Sequence, residues 1–466
     1  MTTTDGSRFG RPMVKTALPG PESRRLFERA DEVLLGVALI GGHPPNHFVG
    51  RYRDGWFLED VDGNRYIDWI TGWASAPLGG NHPELVEAAI RGLREYGTEC
   101  LSALKVWHHW ELAERLAEIA PSPLTKVVYD TTGSEVVENA VRIMREAAGP
   151  SRPFVITFYG SFHGGNYGTG AMGPHNAHYN HWIEPFMSGW INVPFPTCYR
   201  CPYRLSYPAC DLACLGFIEE VVLQYKATPE SIAGVAVEFI QGENGVQIPP
   251  PGWPERLADL CRRYGWILYN DEVQEGVGRT GTWFSIEHYP GVEAELLSLG
   301  KGISGGLIPI ALTLGSDRMS TPAGELYTGG TFAGNPAACL VAAKLIEVIA
   351  RDRVLDNVME LERIAKDRFG EMKDRYEIVG DVRVIGTYMC VEFVEDKESK
   401  TPAHDLTREV VYAMERRGVV PIYEPAFNWF RPTPALNIPP ELFALGCDLV
   451  EESVLEVSET HAKGIG

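Results

Sequence analysis

Two side chains of opposite character frame the stretch of this chain best suited to chemistry. Asp271 closes the apolar run Ile267-Leu268-Tyr269-Asn270 and leads into Glu272-Val273-Gln274. A carboxylate at the carboxyl end of a buried strand stands over the crevice where open α/β sheets collect ligands. Lys301 sits in Leu299-Gly300-Lys301-Gly302, with no acid beside it. A lysine among small and apolar residues gives up its proton readily and serves as an amine nucleophile. Glu238 falls in the same cluster, which spans residues 235–301, and is counted with the ligand-binding residues. Each alone has an ordinary explanation, since a strand-end aspartate often caps a helix and a lysine is usually solvated.

Two further stretches supply what a phosphate needs. Thr131-Thr132-Gly133-Ser134 falls between a strand and a helix, where backbone N–H groups and the helix dipole favour an anion. An ordinary N-cap by Thr132 or Ser134 is equally compatible with it. Gly329-Gly330-Thr331-Phe332, just before Gly334-Asn335-Pro336, offers more N–H donors and a hydroxyl. Phe162-His163-Gly164 follows a strand and brings an aromatic face to the same sheet edge.

The elements that must position these residues alternate in the middle of the chain. Strands are expected at 127–129, 154–159, 234–240, 266–269 and 308–314, and helices at 134–147 and 255–264. That alternation predicts a mostly parallel sheet. After Phe332 the pattern changes to helices at 336–349, 357–371 and 406–417, with strands at Val384 and 389–393, a smaller α+β domain. Asp60-Val61-Asp62-Gly63-Asn64 is a hairpin-turn signal between apolar runs, and its strands are expected to pack with the small domain. The expected division is an N-terminal segment 1–75, a large domain 76–345 and a C-terminal domain 346–466.

Bulk properties narrow the class of function. The 466 residues are 44% hydrophobic and 22% charged, ordinary for a globular protein. A formal net charge of −20 disfavours nucleic acid as a partner. The best apolar run, residues 33–40, is shorter than the roughly 20 residues a bilayer needs and follows Arg29, Asp31 and Glu32, the wrong flank for a signal peptide. No membrane association and a cytoplasmic location are expected. Residues 1–21, rich in Thr, Gly, Pro and Ser, are expected to be loose. Cys198, Cys201, Cys210 and Cys214 form a C-x2-C-x8-C-x3-C array. Such an array suits zinc or an iron–sulfur cluster, or an ordered loop whose thiols pack or pair as disulfides. No metal ligand is assigned.

Three patterns are set aside. Gly168-x-Gly170-x-x-Gly173 matches the dinucleotide fingerprint by letter, but does not follow a strand directly and no helix pattern follows it. His175, His178 and His181 recur every third residue without an accompanying helix or carboxylate pattern. Gly300-Lys301 lacks the upstream glycine of a Walker motif, and Gly302 replaces its Ser or Thr.

Seven motifs then recur in order: Gly133-Ser134-Glu135, Phe162-His163-Gly164, Gln241-Gly242-Glu243, Asp271-Glu272-Val273-Gln274, Gly278-Arg279-Thr280-Gly281, Lys301-Gly302 and Gly330-Thr331-Phe332. Together they resemble the class III aminotransferases, enzymes of fold type I dependent on pyridoxal 5′-phosphate (PLP), which include 4-aminobutyrate and ornithine aminotransferases. The resemblance spans residues 50–440 or so. It implies an α/β large domain with a seven-stranded-type, mostly parallel sheet, and a smaller α+β domain. It implies that Lys301 carries PLP as a Schiff base and later shuttles the proton between the substrate's Cα and the cofactor's C4′. Asp271 pairs with the pyridinium nitrogen, which makes the ring an electron sink. Val273 packs on one ring face and Phe162 stacks on the other, with His163 and Glu238 also in the cofactor site. Gln274 hydrogen-bonds the phenolic oxygen. Gly133 and Ser134 bind the phosphate, joined by Thr331 from the neighbouring subunit of a homodimer.

Substrate recognition departs from the best-known members. Where an arginine follows the aromatic-x-Gly triplet in 4-aminobutyrate and ornithine enzymes and grips a carboxylate, this chain has Gly165. Arg431, in Phe430-Arg431-Pro432-Thr433, is the remaining candidate, either binding an α-carboxylate or pairing with Glu243; a surface arginine after a loop is the plain alternative. Trp73, Trp107 and Trp429 are candidates for an apolar substrate pocket, or simple core. The activity implied is transfer of an amino group between an amino acid or amine and a keto acid. Amino-acid racemases and epimerases of the family are the competing reading, and some resemble this chain in the Tyr199-Arg200-Cys201-Pro202 insertion.

Overall fold

The computed structural model describes residues 10–34, 46–97, 99, 104–174, 183, 187–326 and 329–464. The chain divides into two compact units, 83–352 and a second made of 1–82 with 353–466.

The unit 83–352 is built on a seven-stranded sheet. Its spatial order is Lys126–Asp130, Ala311–Gly315, Leu296–Leu299, Ile267–Asp271, Ile232–Val237, Phe154–Phe158, Trp190–Val193. Ala311–Gly315 runs antiparallel to both its neighbours; every other pairing is parallel. Parallel strands need both faces covered, and the helix Gly133–Ala148 covers one by packing Val136, Val137, Ala140 and Met144 against Val155, Ala236, Ile267 and Leu296. Thr132 is its N-cap, accepting from the Glu135 N–H at 3.3 Å. Ser134 is therefore not the cap, and its hydroxyl is used elsewhere.

Strand limits differ from expectation for local reasons. The strand expected at 308–314 begins only at Ala311, because Pro309 has no N–H to give a ladder. The strand expected at 234–240 ends at Val237. Beyond it the Ile240 N–H donates to the Glu275 carboxylate at 3.1 Å. Leu296–Leu299 and Trp190–Val193 were not anticipated; each is four residues long, too short to show a period.

The other unit holds a four-stranded sheet, in the order Gly50–Asp54, Phe57–Asp60, Arg65–Trp69, Val419–Pro421. A three-stranded sheet is formed by Val379–Ile385, Tyr388–Phe393 and Trp429–Phe430. The expected hairpin is present. Asp60 organises its turn, accepting from the N–H groups of Asp62 and Asn64 at 2.9 and 2.8 Å and from the Tyr66 hydroxyl at 2.8 Å. Helices Val354–Arg375 and His404–Arg417 pack with Pro440–Gly464 around Phe369, Val410, Phe443 and Val450. The 25-residue helix Pro440–Gly464 was not anticipated.

The expectation of a loose start fails for residues 10–21. Met13 bridges to Arg65, the Lys15 N–H donates to Asn64 Oδ1 at 2.7 Å, and the helix Pro21–Val33 follows. Its Glu22 and Ser23 N–H groups donate to the Asp62 carboxylate, which takes the place of an N-cap. Residues 1–9 lie outside the described residues, as does most of the apolar run 33–40.

Candidate active site

The parallel register brings the two leading residues together. Asp271 lies opposite Ser298 of the neighbouring strand, so Lys301, three residues further on, emerges at the same edge. Lys301 takes left-handed backbone, with φ +39°, the kind of local strain that collects at functional positions. Both residues line one cavity of 210 Å³.

The rest of that cavity comes from the loops after three other strands. Gly133 and Ser134 form the first turn of the helix Gly133–Ala148. Phe162, His163 and Gly164 come from the loop after Phe154–Phe158, and Glu238 follows Ile232–Val237. Val273 and Gln274 complete the wall beyond Asp271. A Cβ on Gly133 or Gly300 would come within 3.1 or 3.0 Å of a Val273 methyl, so the valine is wedged between two glycines. Gly164 has φ +135°, and a Cβ there would lie 2.5 Å from Ser134 Oγ. Ser134 Oγ accepts from the Gly165 N–H at 3.0 Å. The result is a helix N-terminus edged by a serine hydroxyl and approached closely by glycine backbone, a fitting seat for a phosphate.

The charges behind the cavity are nearly dry. Asp271 and His163 are both 2% exposed, and Nδ1 of the imidazole donates to Asp271 Oδ2 at 2.7 Å. The other carboxylate oxygen accepts from the Val273 N–H at 3.1 Å. Burial works against protonation of His163, yet the hydrogen bond and charge of Asp271, with Glu238, push its pKa up overall. His163 Nε2 is buried without a hydrogen-bond partner. Glu238 is pushed up to about 7, mainly by burial, against the pull of His163 and two backbone N–H donors. An acid held by an imidazole at the floor of a pocket suits a protonated ring nitrogen, and a lysine at its rim suits an aldehyde. The residues therefore fit PLP.

Sequence reasoning missed the acids just past Asp271. Glu272 is fully buried, accepts from the Ser285 and Ile286 N–H groups at 2.8 and 2.9 Å, and is pushed up to about 7 by burial. Glu275 is raised further, by burial and then by Glu272 and Glu238. Their only sequence signal was their place after Asp271.

The remaining candidates differ in their surroundings. Gln274 lines the cavity, but its amide donates to Glu243 Oε1 at 2.7 Å. Thr331 and Phe332 are exposed, and Thr331 does not line this cavity of its own chain. Trp107 is 66% exposed and is not in the cavity wall. Trp73, Trp429 and Arg431 belong to the other unit. There Trp73 sits in a left-handed turn, Thr71–Ala74, where all four residues have positive φ. Arg431 is 1% exposed and lies against Trp429, its guanidinium carbon 5.5 Å from the ring centroid, so it is not a surface arginine. Trp429 itself is buried and stacked on Phe427.

The patterns set aside also find their places. Gly168 and Gly170 lie within a six-residue helical turn, Tyr167–Met172, that is reached through a loop and ends before Gly173. His175, His178 and His181 lie outside the described residues. Cys198, Cys201, Cys210 and Cys214 are free thiols that line one cavity of 20 Å³. Burial, helped by neighbouring thiols, pushes Cys214 up to about 11. No group of three or more His, Cys, Asp or Glu among the described residues is arranged to hold a metal ion. A larger open groove of 940 Å³ runs past Arg142, Arg145 and Tyr167. It contains neither Lys301 nor Asp271, and the chemistry belongs to the smaller cavity.

Comparison with known proteins decides the family. Residues 41–454 match the family described as Aminotransferase class-III. The chain belongs to the class III aminotransferases. Members of this family use PLP, and this chain is a PLP-dependent enzyme of the aminotransferase type. It is 34% identical over 452 residues to a 4-aminobutyrate aminotransferase of Mycobacterium tuberculosis, covering 93% of this chain and 96% of that protein. It is 30% identical over 451 residues to an alanine/serine racemase of Pyrococcus horikoshii, covering 95% and 92%. A solved amine transaminase from an uncultivated Pseudomonas species, in its PLP-bound form, superposes with a TM-score of 0.83 at 25% identity, covering 92% of this chain and 98% of that one. The seven-stranded sheet is the fold-type-I sheet of this family. No helix among the described residues is long and apolar enough to cross a membrane.

Proposed function

We propose that this class III enzyme transfers an amino group from an amino acid or a primary amine to a keto acid. One observation carries the reading: Lys301 and Asp271 line the same glycine-hemmed cavity, with a helix N-terminus at its edge. When bound, PLP supplies a conjugated ring that withdraws electrons from the substrate's Cα. Asp271, oriented by His163, holds the proton at the ring nitrogen. Gly133 and Ser134 would bind the phosphate, and Val273 and Phe162 would hold the ring. Lys301 Nζ would hold the cofactor's aldehyde and, once released from it, would be the base placed to take and return the substrate's proton. Gln274 Nε2 donates one hydrogen to Glu243, and its second amide hydrogen would serve the phenolic oxygen.

The partner is a second copy of the chain. Leu93, Tyr96, Leu104, Trp107 and Trp110 are exposed within a short stretch of sequence, which supports an interface. Exposed Thr331 then serves the phosphate of the neighbouring subunit. The location is cytoplasmic.

Gly165 removes the carboxylate grip expected of 4-aminobutyrate enzymes. Arg431 therefore takes the α-carboxylate of an amino-acid donor, and Trp73 contributes to the apolar part of the substrate site. A racemase on this scaffold is the second reading, favoured by the 30% identity to the alanine/serine racemase. Incubating the holoenzyme with single-enantiomer amine donors, and no keto acid, separates the two. Transfer gives one carbonyl product and one pyridoxamine phosphate per site. Inverted donor with no pyridoxamine phosphate would establish the racemase.

A further inference from the structure

Glu238 is the buried acid of the cavity to which the chemistry of transfer gives no task. The register pairs Val237 with Asn270, so Glu238 and Asp271 leave adjacent strands side by side. Placing a second carboxyl beside Asp271, at 2% exposure, is costly unless its oxygens are well satisfied. They are satisfied by two different loops. Oε1 accepts from the Phe162 N–H at 2.7 Å, and Oε2 accepts from the Gly242 N–H at 3.3 Å. Phe162 begins the aromatic triplet, and Gly242 directly precedes Glu243, which accepts from Gln274.

We propose that Glu238 is a positioning residue that clamps the backbones of Phe162 and Gly242 from one point, fixing the ring-face aromatic and the Glu243 loop in a single arrangement. The ligand named in the test rests on the PLP reading above; the clamp itself is a property of this chain. Both oxygens must accept for both loops to be held. A glutamine has the same shape but presents one oxygen and one NH2, so it satisfies one loop and repels the other N–H. An aspartate keeps the charge but falls one methylene short. The titratable groups facing Glu238 are His163 and Asp271, with Glu275 and Tyr269 also within electrostatic reach. All four remain in a Glu238→Gln variant, which makes it a control for their titration.

The experiment is a titration of apoprotein with PLP, followed by the induced circular dichroism of the cofactor at several pH values between 5.5 and 8.5. In the wild type the induced signal should grow as pH rises through neutrality, because an ionised carboxylate accepts more strongly from both N–H groups. Glu238→Gln should bind PLP about tenfold more weakly, the scale of one hydrogen bond to a charged group, with a smaller signal that no longer changes near neutrality. Glu238→Asp should keep the pH dependence and lose signal. Melting each apoprotein first identifies any variant that has not folded, and the remaining variant then decides. Wild-type uptake of PLP with Glu238→Gln unchanged in affinity, signal and pH dependence overturns the clamp alone. A wild type that takes up no PLP overturns the cofactor reading as well.

Discussion

His163 Nδ1 lies 2.7 Å from Asp271 Oδ2, and both side chains are buried from solvent. An imidazole in that place fixes the orientation of the carboxylate, as partners of reactive groups commonly do. Asp271→Asn preserves the shape and removes the charge. Its turnover should fall by on the order of 10²–10³, the cost of losing one preorganised charge at a reacting centre. His163→Gln should cost less, about tenfold, as measured by single-turnover kinetics with a saturating amine donor. Equal losses in the two variants would mean that His163 acts on the ligand directly.

Gly164→Ala tests the phosphate seat. The added methyl would lie 2.5 Å from Ser134 Oγ, at a φ of +135° that side chains avoid. PLP affinity should drop by more than about tenfold while the apoprotein loses a few kcal/mol or less, since the strain is local. Equilibrium dialysis paired with thermal melting separates the two effects. Unchanged affinity would place the phosphate elsewhere.

Asp130 gives a pH prediction outside the reacting groups. It is buried at the end of its strand, bonded by Asn139 on one oxygen and without a partner on the other, and burial pushes it up to about 7. A carboxyl raised in the folded state binds more protons folded than unfolded. The stability it confers is complete below the ordinary carboxylate range and is lost as pH rises through about 7. Asp130→Asn should therefore gain on the wild type between about pH 4 and 7, by up to a few kcal/mol. Urea melts across that range check it; a constant difference would contradict the assignment.

Arg431 is the candidate anchor for an α-carboxylate. Arg431→Ala should raise KM for α-amino acids by about 10- to 100-fold, as expected for loss of a charge-assisted pair. KM for simple amines should stay nearly unchanged. Equal effects on both donor classes would dispose of the role.

Much of the cavity was legible because its residues sit at strand ends, where sequence position and spatial position coincide. Asp271 ends one strand, Glu238 follows another, and Lys301 follows a third. The third strand, Leu296–Leu299, was itself invisible, too short to show a period. The roles of Gln274 and Glu243 in one another's hydrogen bonding were not legible, since that contact joins two loops. The same holds for His163 and Asp271, which lie 108 residues apart. The burial of Arg431 depends on strand pairing around Ile422, which local pattern does not reveal. Residues 10–20 read as loose by composition because their partners, Asn64 and Arg65, lie far along the chain.

The most direct measurement is reduction of the PLP-loaded protein with borohydride, followed by digestion and mass mapping. One pyridoxyl group per chain, carried by the peptide that contains Lys301, is the predicted result. A label on another lysine, or no stable label on protein that has taken up PLP, would contradict the assignment of the site.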